Sequence, residues 1–308
     1  MTLKQKTSSA LSATKKLTLD SVLTLRDIKK NYKEFELGSI DLTLPKGYIT
    51  GIIGPNGAGK STTIKIIMNM VKADSGDVSV FGLDYKKSEK DIKNRIGYVG
   101  EEQYFYSDKT VAWTGKFVSQ YYTDWNENYF KKLLSDFNLS PTKKTKELSK
   151  GMKVKLSLAL ALAHNPELII LDEPTAGLDP VVRRELLDLL IDIVKIEKKS
   201  VIISSHITDD IARIADFVAF MIDGKIRIFR DKDELLSSWK KIHFKENAIG
   251  VDVKSELFNL SESAFASTGI TRDFSLIENK IGKGLANGDI KIENVDLDDI
   301  LISFVRDE

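Results

Sequence analysis

Residues 54–61 read Gly-Pro-Asn-Gly-Ala-Gly-Lys-Ser, which fits the pattern G-x-x-x-x-G-K-[ST]. The run follows an apolar, strand-like segment (Tyr48–Ile53) and precedes an apolar-periodic, helix-like one (Thr62–Met70). That context constrains the chain more than any other feature. Glycines at these positions let successive backbone N–H groups turn inward around phosphate oxygens. The following helix adds its positive N-terminal end. The pattern places Gly54, Pro55, Asn56, Gly57, Ala58, Gly59, Lys60, Ser61 and Thr62 around a polyphosphate, with Lys60 reaching the β- and γ-phosphates and the Ser61 hydroxyl on Mg²⁺. Strand, glycine loop and helix are half of a parallel α/β unit.

A second run supports this reading. Leu168–Leu171 is a buried-strand pattern that ends in Asp172 and Glu173. Carboxylates at the end of a parallel strand stand where doubly wound sheets bind ligands. Asp172 is expected to hold Mg²⁺, directly or through water, and Glu173 to polarise the attacking water. Further strands are expected at Val22–Leu25, Ile40–Leu44, Val201–Ser204 and Phe217–Ile222, with Pro45-Lys46-Gly47 as a turn. Helices are expected at Lys86–Lys93 and Val181–Ile196. Between them, residues 103–165 carry helical patterns near 110–121, 126–137 and 149–164, a helical insert in an α/β domain. Beyond residue 230 the pattern weakens to a charged helix (Lys232–Lys241), a few strands and an amphipathic run, Leu297–Val305.

Composition excludes more than it suggests. The chain has 308 residues, enough for one large domain or two modest ones. Its 46 basic and 45 acidic side chains leave a net charge of +1, which offers no whole-molecule attraction to nucleic acid. It has no cysteine, so disulfides, thiolate metal sites and cysteine nucleophiles are excluded. No run approaches the roughly 18–20 apolar residues that cross a bilayer. Residues 1–21 are basic and rich in Ser and Thr, lack the apolar stretch of a secretory signal, and are expected to form a disordered extension.

The order of motifs over residues 22–230 resembles an ABC (ATP-binding cassette) nucleotide-binding domain, a P-loop NTPase fold with an inserted helical subdomain. The family's Leu-Ser-Gly-Gly-Gln signature corresponds to Leu148-Ser149-Lys150-Gly151-Met152, about twenty residues before the acidic strand. The resemblance implies that Ser149 and Gly151 contact the γ-phosphate of ATP held by an opposite subunit. Lys150 and Met152 depart from the common form; Lys150 either adds a cation near that phosphate or points to water. Ala176-Gly-Leu-Asp179-Pro180 resembles the D-loop, which crosses the dimer interface. His206 resembles the switch histidine on the γ-phosphate, and Tyr32 the aromatic that stacks on adenine. Where the family usually has glutamine, linking Mg²⁺ to the helical subdomain, this chain has Glu101. Glutamate there also occurs in some exporter-type members.

The resemblance implies an ATP- and Mg²⁺-dependent ATPase, a homodimer or a heterodimer with a paralogue, that powers a transmembrane permease carried on another chain, most similar to members paired with ABC-2-type permeases. It would sit in the cytoplasm, peripheral to the inner face of the cell membrane. Aromatics between Tyr104 and Trp125 are expected mostly as helical core, with some lining a groove for that partner. No direct nucleic-acid contact is expected. The alternative is a soluble ABC ATPase acting on ribosomes or nucleic acid, but the insert is too short for the coiled coils of repair members and there is one cassette, not two. A GTPase would need an Asn-Lys-x-Asp base-reading motif, which is missing. Residues 231–308 are expected to form a small C-terminal extension that is regulatory, dimerising or structural.

Overall fold

A computed structural model describes residues 20–261, 263 and 266–306. The expected disordered extension falls largely on residues 1–19, outside the described residues, and Ser21 already belongs to a strand. In chain order the elements are β1 (Ser21–Asn31), β2 (Glu36–Pro45), β3 (Ile49–Ile53), α1 (Lys60–Ile67), β4 (Ser75–Val80), β5 (Leu83–Asp84), α2 (Tyr85–Asn94), β6 (Ile96–Val99), α3 (Val111–Ser119), α4 (Glu127–Asp136) and α5 (Lys150–Leu162). They continue as β7 (Leu168–Asp172), α6 (Pro180–Glu197), β8 (Ser200–Ser205), α7 (Thr208–Ile214), β9 (Phe217–Ile222), β10 (Lys225–Asp231), α8 (Lys232–Ser238), β11 (Lys240–Phe244), α9 (Val251–Lys254), β12 (Leu257–Ser261), β13 (Ser267–Thr271), α10 (Glu278–Ala286), β14 (Ile290–Asn294) and α11 (Leu297–Arg306).

The central sheet runs β10-β9-β3-β8-β7-β6, parallel except for the β9–β10 hairpin. Every residue of β3, β7 and β8 is buried, as expected when both faces of a parallel sheet are covered. The two-residue period of a strand divides these residues between two cores. Leu168 and Ile170 of β7 face a layer made by α1 and the antiparallel sheet β2-β1-β4-β5, while Ile169 and Leu171 face α5, α6 and α7. The expected helical insert is present as α3, α4 and α5, and its apolar side joins the second core.

Residues 231–306 contain the expected strands and the expected last helix, and depart from their sequence reading at one place. The charged run Lys232–Lys241 was expected as one helix. Instead α8 stops at Ser238, and Lys240 and Lys241 open β11, because Trp239 turns extended (φ −90°, ψ 137°) and buries its ring in the main core. The strands form an antiparallel sheet, β12-β13-β11-β14, with its own core built from residues such as Ile242, Phe244, Ile281 and Ile290. The last helix does not belong to that core: Leu297 and Ile300 of α11 are buried in the main one.

Two glycines in helices have opposite surroundings. A Cβ on Gly115 in α3 would stand 2.2 Å from the buried Phe130 ring of α4, whereas one on Gly282 in α10 would meet nothing within 4 Å. Gly115→Ala is expected to destabilise the fold by about 1–3 kcal/mol through overpacking. Gly282→Ala is expected to add about 0.5–1 kcal/mol by removing a helix-interior glycine. Urea denaturation of both variants checks the sign of each.

Candidate functional site

The phosphate loop joins β3 to α1. Gly57 and Gly59 adopt φ of +83° and +103°, the left-handed region that reverses the N–H direction. A Cβ on Gly54 would lie 2.1 Å from the Met221 carbonyl oxygen of the neighbouring β9, so the loop starts against backbone that cannot move aside. Lys60 bends back into the loop, where its Nζ donates to the carbonyls of Gly54 (2.8 Å) and Pro55 (3.1 Å). Its Nζ also lies 3.1 Å from Glu173 Oε1, with the two side chains only 5 % and 7 % exposed. Glu173 Oε1 accepts no hydrogen bond from the described residues.

Both carboxylates stand at the end of β7, beside the end of β8. Ser61 Oγ donates to Asp172 Oδ1 (3.1 Å), as does Ser204 Oγ from the adjacent strand (2.6 Å). Ser204 Oγ also accepts from the Glu173 backbone N–H (3.0 Å). Glu173 has φ +47°, a strained conformation for a residue with a Cβ, of the kind that functional sites retain. Its Oε2 lies 2.8 Å from His206 Nδ1 and accepts from the His206 backbone N–H (3.3 Å). Tyr98, at the end of β6, has its phenol pushed up to about 12 by burial first and then by the charges of Asp172 and Glu101, so it stays protonated beside the acids.

These groups surround an open cavity of about 690 Å³. Asn56 through Thr62 line it together with Glu34, Phe35, Glu101, Glu173 and His206. Tyr32, expected to be the adenine aromatic, does not line it. Residues 32–35 make a tight turn, closed by the Tyr32 N–H donating to the Phe35 carbonyl (2.8 Å), and the turn sends the Phe35 ring towards Gly59. Tyr32 is instead 46 % exposed, and its ring lies 6.4 Å from that of Phe35.

The signature residues lie elsewhere. Ser149 Oγ caps α5 by accepting from the Met152 N–H (3.3 Å), and Gly151 packs close to Val182 of α6. Asp179 caps α6 through the N–H groups of Val181 and Val182 (both 3.1 Å), so within this chain its carboxylate holds the start of that helix. Lys150 is exposed, and its Nζ lies 2.9 Å from where a Cβ of Gly177 would stand, across the chain's own D-loop. It shares a cleft with Glu101, Glu102, Gln103 and Lys153, which brings Glu101 and Lys150, both departures from the family pattern, together in one subunit.

The donors fit Mg²⁺ with a nucleotide. Among the described residues no cluster of three or more His, Asp or Glu has metal-binding geometry. Mg²⁺ needs none, because it is commonly held by one or two carboxylates, phosphate oxygens and water. Ser61 and Asp172, already in contact, supply the protein part of such a set. The sequence reading missed Phe35 and Ser204. A serine in an otherwise apolar buried strand, Val201–Ser204, is the signal that could have revealed the second.

A strand–glycine loop–helix closed by an acidic strand end defines a nucleoside-triphosphate-binding cassette. The family model described as "ABC transporter" matches residues 37–176. The chain is 36 % identical over 206 residues to the ABC transporter ATP-binding protein YtrB of Bacillus subtilis, covering 67 % of this chain and 70 % of that one. It is 36 % identical over 215 residues to the lantibiotic transport ATP-binding protein SrtF of Streptococcus pyogenes, covering 69 % and 92 %. A solved ATP-binding subunit of an ABC transporter superposes with TM-score 0.64 at 25 % identity, over 70 % of this chain and 92 % of that one. The chain belongs to the ABC transporter ATP-binding protein family. It is an ATP-binding subunit whose hydrolysis of ATP is coupled to transport. The alternative of a ribosome- or nucleic-acid-directed ATPase gains no support from these relatives.

Ser204 holds the Asp172 carboxylate and the Glu173 backbone, so Ser204→Ala removes a donor from Asp172 and an acceptor from the Glu173 N–H at once. The loss of stability is expected to be about 1–3 kcal/mol, the net worth of two hydrogen bonds, because Ser61 still serves Asp172 and the Ser204 carbonyl still accepts from the Glu173 N–H. Calorimetry and nucleotide titration should show a lower melting temperature together with weaker Mg²⁺-dependent binding.

Proposed function

We propose that the chain is the ATPase of an exporter and drives a separate membrane-spanning permease. The observation that carries the site assignment is the buried Glu173, held between Lys60 and His206 at the mouth of the phosphate loop. Phe35 stacks on the adenine, and the N–H groups from Gly57 to Thr62 surround the phosphates. Lys60 exchanges Glu173 for the β- and γ-phosphates. Ser61 and Asp172 hold Mg²⁺, with Glu101 facing the same cavity, and the ion when bound neutralises charge on the phosphates. Glu173 takes a proton from the attacking water as the bond to the leaving phosphate oxygen breaks. His206 fixes the Glu173 carboxylate through Oε2 and reaches the γ-phosphate.

Ser149, exposed, and Gly151, buried against Val182, lie at the start of α5, outside the cavity of their own chain. This placement supports a composite site in which they serve ATP on a second subunit, identical or paralogous. The partner's seat is supported by α3: Trp113 and Phe117 stack at 5.1 Å, and Tyr106 and Tyr121 extend the row edge-on, 61 % and 66 % exposed. A row of aromatics on the helical subdomain, half-buried at Trp113 and Phe117 and exposed at its two tyrosines, suits docking to an apolar protein segment. Among the described residues no helix is long and apolar enough to cross a membrane, so attachment to the inner membrane face would come through that partner.

Two measurements test this reading. Glu173→Gln keeps the shape but removes the basic oxygen, so ATP turnover should fall by about 10²-fold or more while ATP binding persists. Near-parental turnover by this variant would remove Glu173 from the role. Phe35→Ala should raise KM for ATP by about 10-fold, on the scale of a lost base–aromatic stack. Tyr32→Ala should change it far less, and the reverse ranking would return the adenine to Tyr32.

A further inference from the structure

His206 stands between β8 and α7, and its side chain is 41 % exposed. Among the described residues its hydrogen bonds go to Glu173, and its backbone runs straight into the start of α7, so how that helix begins also affects where the ring stands. That beginning is weakly secured from within. α7 has seven residues, and Ile207 at the N-cap makes no side-chain capping bond. A short helix without a cap has little hold on its own first turn. Contacts on two sides supply that hold. On one side, Arg183 of α6 pairs with the buried Asp210, and Arg213 pairs with Asp188 of the same helix (2.7 Å). On the other, the Thr208 hydroxyl donates to Asp298 Oδ1 in the first turn of α11 (2.7 Å). Thr208 is 5 % exposed and directs its hydroxyl across to the last helix.

α11 is well anchored where it makes this contact. Phe304 packs against Phe220 of β9 (5.9 Å) and Trp239 (5.6 Å), and Leu297 and Ile300 are buried in the core that also contains Ile211 and Ile214 of α7. Lys241 of the C-terminal sheet pairs with Asp299 (3.5 Å), next to the residue that holds Thr208. A continuous set of contacts therefore runs from the C-terminal sheet through α11 to the residue two places after His206.

We propose that Asp298, acting through Thr208, is a positioning residue for His206, so that the last helix of the C-terminal extension sets the geometry of the γ-phosphate switch. The proposal rests on the reading of His206 given above. It assigns the extension a part in catalysis, made by a hydrogen bond rather than by contact with nucleotide.

The test uses the full chain and steady-state ATPase kinetics. Thr208→Val removes the hydroxyl at nearly constant shape, and Asp298→Ala removes the acceptor. Each should lower kcat by about 3- to 10-fold, the worth of one hydrogen bond, with KM for ATP and equilibrium binding of a fluorescent ATP analogue held within about twofold. Thr208→Ser and Asp298→Asn keep the donor and the acceptor, and should restore kcat to within about twofold of the parent. The double variant Thr208→Val/Asp298→Ala should be no slower than either single, since both break one bond. Parental kcat in Thr208→Val and Asp298→Ala, alongside a His206→Ala variant that has lost turnover, overturns this inference alone. Parental turnover in His206→Ala overturns the role of that histidine, and the inference with it. Losses that the Ser and Asn variants fail to restore make the contact structural and also overturn it.

Discussion

A lysine and a glutamate, both almost wholly buried, face each other at 3.1 Å where a parallel sheet ends. Removing two such charges from water costs several kcal/mol per ion, and their attraction repays this only with good geometry and additional hydrogen bonds. The surrounding structure supplies these. Two loop carbonyls receive the ammonium, and His206 holds the free side of the carboxylate. Ser204 reaches from the next strand to fix the backbone beneath it. The loop's left-handed glycines and the strained Glu173 backbone follow from bringing these groups together. The pair also explains how the site can respond to phosphate, since an anion in the loop competes with Glu173 for the same cation.

The sheet that delivers these residues leaves little latitude. β7 and β8 are paired in register, with Leu168 opposite Ser200 and Asp172 opposite Ser204. A slip of one residue would exchange the two cores' side chains and separate Ser204 from Asp172. Packing and chemistry therefore specify the same alignment. On the far side of the main core, α11 fills the space beside α7, so the C-terminal extension has a core of its own in its sheet and a share in the cassette's core through its last helix.

Much of this was legible in the sequence, and the reasons are physical. A glycine loop with a lysine between a strand and a helix has few other uses, and fully apolar runs such as Leu168–Leu171 have few places to go but a covered parallel sheet. The central strands and long helices accordingly fall close to where their patterns put them. What the sequence concealed depends on directions that only the folded chain sets. Tyr32 and Phe35 are both aromatics near a strand end, and a four-residue turn decides which one meets the cavity. The Lys232–Lys241 run has the charge of a solvated helix, but the burial of Trp239 breaks it. Asp179 and Ser149 read as nucleotide contacts, yet each first satisfies the N-terminus of the helix it opens. The seat of α11 could not be read at all, because a sequence pattern gives an amphipathic helix a buried face without saying what lies beneath it.

That seat has a consequence for how the molecule is made. Chains emerge from the ribosome N-terminus first, at about 5–20 residues per second. The phosphate loop near Lys60 is synthesised early, but the helix that completes the core under α7 ends at Arg306. For about 4–17 seconds, the time taken to add the remaining residues up to Arg306, the nascent cassette carries Ile211, Ile214 and Phe220 without the side chains that cover them. During that interval it presents sticky surface that chaperones must shield or that early ligand binding must help to hold in shape. A gene truncated just before Leu297 would leave the protein in that state permanently.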